Sequence, residues 1–223
     1  MSTRRRWPSR LATLAGLVLV AVGAARAWQT LAPTTDIDTG ETPLVDMSGQ
    51  VVRLDPNPEQ PAQPAPTLDT TTPAGRFVVT SVGLDIPLDA MRENAGWIIP
   101  PGFTSAYHLT NRGVALDHAS DGTVYVAMHS LRHGGLAPGN YLFDVTTGTS
   151  KAEVGAVIKV NNLTYVVEST MTIHKLDLPK AADLWADVPG RLVIITCLQK
   201  PNNTASESNF VIVAHLAGVN NSP

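Results

Sequence analysis

The sequence predicts an all-β domain over residues 76–223, built as a barrel or sandwich of seven or eight strands. Two observations predict it. First, β-branched apolar runs recur at FVVTSV (77–82), GWII (96–99), TVYVAM (123–128), VIKV (157–160), LTYVVESTMTI (163–173), LVIIT (192–196) and FVIVAHL (210–216), bounded by Gly, Asn, Asp and Pro. Second, helix-like stretches are short, about 103–112 and 180–186, where PKAADLW follows a Pro start. Val160-Asn161-Asn162-Leu163 reads as a hairpin turn, because Asn tolerates positive φ. No internal repeat is present.

Ahead of this domain the texture differs. Residues 29–76 hold no aromatic residue, and eight of the 17 prolines fall between positions 30 and 74. Such a segment buries too little apolar surface to offset its ordering entropy, so residues 30–75 read as a semi-extended, Pro-rich extracellular linker. Within it, LVDMSGQVVRL (44–54) fits a short strand. Further forward, LATLAGLVLVAVGAA (11–25) is uncharged and mostly apolar. Arg4, Arg5, Arg6 and Arg10 precede it; Arg26 and Trp28 follow. A basic cluster before an apolar run is the positive-inside signature, and Trp suits the membrane interface. The run is short for a core of about 30 Å, but snorkelling arginines extend it. Residues 1–29 are expected to form a single-pass signal-anchor with the rest of the chain outside. Ala25-Arg26-Ala27 has the small-x-small shape of a cleavage site, with an unusual Arg inside it.

Charge and cysteine content narrow the function. Five of 16 basic residues lie in the first 26 positions; from Trp28 onward 11 basic face 19 acidic residues, a net of −8. That part has no electrostatic reason to bind nucleic acid or anionic lipid. A single cysteine makes no intrachain disulfide and no multi-cysteine metal site.

That cysteine, Cys197, ends the apolar run Leu192–Thr196 and opens a polar stretch, the usual position for a nucleophile on a rigid scaffold. Equally, a lone Cys is commonly a buried structural residue. A thiol of ordinary pKa is only a few per cent thiolate at neutral pH, so it needs a base. Of the six histidines, His129 is best placed. It ends TVYVAM and opens the loop HSLRHGG, mirroring Cys197. His108 and His118 lie in polar, solvated-looking segments; His215 alternates within a strand; His174 is the second candidate. His129 and His133 have the i, i+4 spacing of zinc ligands, but Gly134-Gly135 argues for a loop and no Glu follows the first His.

GWIIPPG…TVYVAMHS, GNYLF, LVIITC and FVIVAHL together resemble the sortases, the Cys-dependent transpeptidases of Gram-positive surfaces. The resemblance covers roughly 76–218 and includes the order His, about 70 residues, then Cys. The Gly-Trp approach to the His strand is similar to that of shorter, actinobacterial-type members. The resemblance implies a closed eight-stranded β-barrel with short helices, behind an N-terminal anchor. It implies Cys197 as nucleophile, His129 as acid/base and Thr196 as a substrate hydrogen-bonding residue. One departure stands out. The family carries an Arg on the strand after the Cys, and this chain has none after Arg191. That position falls on Asn209, or on Glu207 two residues earlier. Arg132, in the loop after His129, and Lys200 are the cations that could reach in instead.

The implied activity is cleavage of an LPxTG-like sorting signal through a thioacyl intermediate, then transfer to an amine. The implied partners are surface proteins with C-terminal sorting signals, and a cell-wall precursor or pilin lysine as acceptor. No metal or organic cofactor is required. The missing Arg motivates an alternative, a sortase-fold binding or scaffolding protein with weak or no catalysis.

Overall fold

The computed structural model describes residues 44–52, 64–71, 75–94 and 96–218. The segment expected to anchor the chain, 1–29, lies outside the described residues. Among the described residues nine strands form: β1 (Thr67–Leu68), β2 (Gly75–Val79), β3 (Leu84–Arg92), β4 (Ala106–Gly113), β5 (Thr123–Ala127), β6 (Val157–Val160), β7 (Leu163–His174), β8 (Arg191–Leu198) and β9 (Ser208–Leu216). Hydrogen bonding runs β3-β2-β6-β7-β9-β8-β5-β4, and β4 pairs back to β3. Eight strands therefore close into a barrel without a free edge, and β1 adds a short flap on β3.

Five of the expected runs form strands within a residue or two at each end. The Val160–Leu163 turn closes the β6–β7 hairpin, with Asn161 at φ 55°. The sixth, FVVTSV, gives β2 only as far as Val79, and Thr80–Val82 form a 3-10 turn. Two further expectations are corrected, and one strand has no counterpart in the sequence reading. Residues 103–112 are no helix, since β4 occupies 106–113 and pairs on both sides. GWII forms no strand but one isolated Asn94–Trp97 bridge, because Pro100 and Pro101 just beyond it have no N–H to extend a ladder. LDIPLDAMR is β3, whose Leu84, Ile86, Leu88 and Ala90 alternate inward; Pro87 disguised it.

Alternation splits each long strand between two apolar clusters. Val124, Val126, Leu192, Ile194, Phe210 and Ile212 fill the lumen. Tyr125, Ala127, Val193, Ile195 and Val211 face the outer wall. Two connections cover that wall, the crossover that the parallel pair β3–β4 demands and the link from β7 to β8. One is the strap 93–105. The other is 175–190, which carries the short helix α1 (Ala182–Trp185) and buries Leu184. Arg191 fixes α1 by donating to the carbonyls of Asp183, Leu184 and Ala186, while Arg112 stacks over the Trp185 ring at 4.3 Å.

Candidate active site

Strands β5 and β8 run parallel, with Ala127 level with Ile195. Continuing that register by two residues sets His129 level with Cys197, both on the outer-wall side. Across β8, Cys197 pairs with Asn209 on β9, and Asn209 pairs with Ile173 on β7. Paired residues share a face. His129, Cys197, Asn209 and Ile173 thus form one row across four neighbouring strands. The sequence separations of 68 and 12 residues between the first three vanish in the fold.

The β5 ladder stops at Ala127, so other bonds hold His129 in place. The Ser130 hydroxyl donates to the Cys197 carbonyl. The buried Gln199 amide donates to both the carbonyl and the hydroxyl of Ser130, each at 2.9 Å. This side-chain bridge replaces the missing rungs. From below, the turn Pro138–Tyr141 closes in, and the Gly139 N–H donates to the His129 carbonyl at 2.8 Å. Only glycine fits there. A Cβ would stand 2.1 Å from Thr196 Oγ1 and 2.9 Å from the His129 carbonyl oxygen.

The strap 93–105 fixes the ring. Phe103 stacks on the imidazole with centroids 4.5 Å apart, and His129 Nε2 lies 2.8 Å from the Pro100 carbonyl. A carbonyl only accepts, so Nε2 carries the proton and Nδ1 holds the lone pair of the neutral ring. Burial pushes the imidazole down to about 4, against the weaker raising pull of the Pro100 carbonyl. The ring is therefore neutral near pH 7. Cys197 is a half-exposed free thiol. Asn209 is 7% exposed, and its amide makes no hydrogen bond among the described residues.

The remaining candidates lie elsewhere. Thr196 points into the lumen, on the opposite face from Cys197, with its hydroxyl buried and unpartnered against Gly139. Arg132 sits half-buried in the loop after His129. Lys200 forms a 2.8 Å ion pair with Glu207 across the β8–β9 loop. His174 ends β7 one residue off the row, exposed, accepting from the Leu176 N–H. His133 sits exposed in the loop at φ 57°. His118 is exposed beside Asp117 and Asp121, as its polar segment suggests. His108 corrects its expectation. It is buried on β4, with burial pushing its pKa down. Sequence reasoning missed Pro100, Phe103, Ser130 and Gln199. Ser130 and Gln199 flank His129 and Cys197 closely and were findable as polar residues beside an apolar run; Pro100 and Phe103 were hidden by the misread segment.

Fold and site together define a closed β-barrel bearing a Cys–His–Asn row on its outer wall. No protein-family model and no curated protein matches the chain. Among solved structures it is similar to sortase A of Listeria monocytogenes, at 20% identity over 64% of this chain and 85% of that one, with a TM-score of 0.45. It is also similar to sortase C-1 of Streptococcus pneumoniae, at 20% identity over 64% of this chain and 65% of that one, TM-score 0.42. The pilus-related sortase C of Group B Streptococcus is 17% identical over 68% of this chain and 71% of that one, TM-score 0.44.

Proposed function

We propose that the chain is a sortase-type cysteine transpeptidase, membrane-anchored through residues 1–29 and acting on surface proteins outside the cell. The observation that carries the reading is the row His129–Cys197–Asn209, with a free thiol between an imidazole and an unpartnered amide. In the proposed cycle, His129 Nδ1 takes the Cys197 proton as sulfur attacks the carbonyl carbon of an LPxTG-like signal. The tetrahedral oxyanion forms beside Asn209, whose N–H donates one neutral hydrogen bond. As the C–N bond breaks, the imidazolium returns its proton to the departing amine. Burial makes that imidazolium a stronger acid than usual, which favours this step. The thioacyl enzyme then passes its acyl group to a second amine of the envelope, His129 accepting the amine's proton.

Incubating the protein with a sorting-signal peptide and an amine tests the reading by mass spectrometry. The expected result is a Cys197 thioacyl adduct and an amide product, both lost in Cys197→Ala and His129→Gln. Absence of any adduct or product would overturn it. Peptide binding that leaves Cys197 unacylated would instead favour the scaffold alternative, which the family's missing Arg motivates.

A further inference from the structure

We propose that Asp46, in the segment preceding the barrel, is a positioning residue for His129, acting through Leu136. This rests on His129 serving as the acid/base of the proposed reaction, and it adds a second part of the chain to the site.

The sequence DMSGQ (46–50) builds a tight loop. Asp46 Oδ1 accepts from the Ser48 and Gln50 N–H groups at 2.8 and 2.9 Å, and Gly49 takes φ +79°, a left-handed conformation. Val45 bridges Val51 antiparallel, closing a miniature hairpin. A self-contained loop would leave its carboxylate in water. Here Asp46 is 4% exposed. Its second oxygen crosses 90 positions of sequence to accept from the Leu136 N–H at 3.0 Å, and the Met47 N–H returns to the Leu136 carbonyl at 2.8 Å. Both backbone groups of Leu136 are thus taken by residues 46 and 47. The Leu136 N–H is also the largest of the influences holding the Asp46 carboxyl below its usual range.

Leu136 lies in the loop that leads out of His129. Directly after it, the Asn140 side chain ties Ala137 to Leu131, accepting from both N–H groups and donating to the Leu131 carbonyl. Gly139 then donates to the His129 carbonyl. The path Asp46, Leu136, Ala137–Gly139, His129 is a run of backbone bonds with no long side chain able to absorb slack. Within the loop's middle, another tie to a distant element runs from the His133 N–H to Asn203 Oδ1, on the exposed β8–β9 loop. Release of Leu136 therefore loosens the ring's seat between Phe103 and Pro100, a seat that depends on the loop backbone staying in place.

The test uses the full chain with Asp46→Ala and Asp46→Asn. The first readout is the His129 titration by NMR, its resonance assigned by loss in His129→Gln. It needs no substrate, so it stands whether or not transpeptidation is found. A loosened ring regains water, so the midpoint in Asp46→Ala should rise from near 4 by roughly one pH unit or more. Asp46→Asn keeps one acceptor oxygen and should fall between. If Asp46→Ala does not fold, the Asp46→Asn midpoint alone decides, and coincidence with wild type overturns the proposal. So does an unchanged midpoint in folded Asp46→Ala whose Leu136 amide exchanges faster, because the clasp would then be structural only. The second readout is turnover. A misplaced acid/base should lower kcat about 10- to 100-fold with KM little changed; a KM effect alone overturns the positioning role.

Discussion

The imidazole of His129 is seated where its charge is unwelcome, and this makes two measurements informative. Between pH 6.5 and about 4 the unfolded chain binds a proton that the folded ring refuses. Stability should therefore fall as pH drops through that window, by up to about 1.4 kcal/mol per pH unit for one such group. Buried His108 adds in the same direction. Urea titrations at several pH values should show a flatter acid limb for His129→Gln than for wild type; parallel limbs would mean the ring is not desolvated. The carboxyls behave differently. Asp69 is held down to about 2, first by the Thr110 hydroxyl and then by Thr71, so its contribution is lost only as pH falls below the ordinary carboxylate range. Asn209 carries a separate expectation. As the proposed neutral donor to the oxyanion, its loss in Asn209→Ala should cost about 10²-fold in kcat/KM toward a signal peptide. Lys200→Ala should leave the rate near wild type, since Lys200 is committed to Glu207. The reverse pattern in steady-state kinetics would move the oxyanion role to Lys200.

At the scale of elements, the Ser130–Cys197–Gln199 bridge stands where the β5–β8 ladder has ended. Gln199→Leu keeps side-chain bulk but leaves the Ser130 carbonyl and hydroxyl short of a donor in a buried place. Stranding such groups typically costs about 1–3 kcal/mol, measurable by urea unfolding, and Gln199→Glu, which removes the donor while adding charge, should cost at least as much. What was readable from the residues follows the same division. Strands with uninterrupted β-branched runs, such as β8 and β9, declared themselves. So did the placement of His129 and Cys197 at strand ends, because a switch from apolar run to polar loop is a local signal. β3 and β4 were not readable in the same way. Pro87 breaks the β-former pattern of the first, and the second is the polar AYHLTNRG, made a strand by tertiary pairing to β3 and β5. Asn209 was reached only through the family resemblance; its position beside Cys197 is a matter of register, which no local pattern encodes.

Across the whole molecule, the stretch 30–75 is more than a spacer where it is described. Residues 44–52 clasp Leu136. Leu68 pairs with Met91, and Asp69 accepts from the Thr110 hydroxyl at 2.6 Å. A chain beginning at Gly75 should still fold, because it keeps the closed barrel and every buried member of both apolar clusters. Its Tm should drop by roughly 5 °C or more relative to one beginning at Pro43. Equal melting temperatures by calorimetry would show that the leading segments contribute nothing to stability. Among the described residues no helix is long and apolar enough to cross a membrane.

The placement of the thiol on the barrel's outside rather than in its lumen has a topological consequence. The lumen is filled by aromatic and aliphatic side chains, so nothing threads through it. A polypeptide laid across the outer wall approaches sideways and leaves both of its ends hanging free. Such a wall sets no limit on the size of what is attached at either end, and it needs no chain terminus in order to engage. Under the proposed function, a folded body on either side of the bound segment is equally tolerable, and only the few residues lying over Cys197 need be extended.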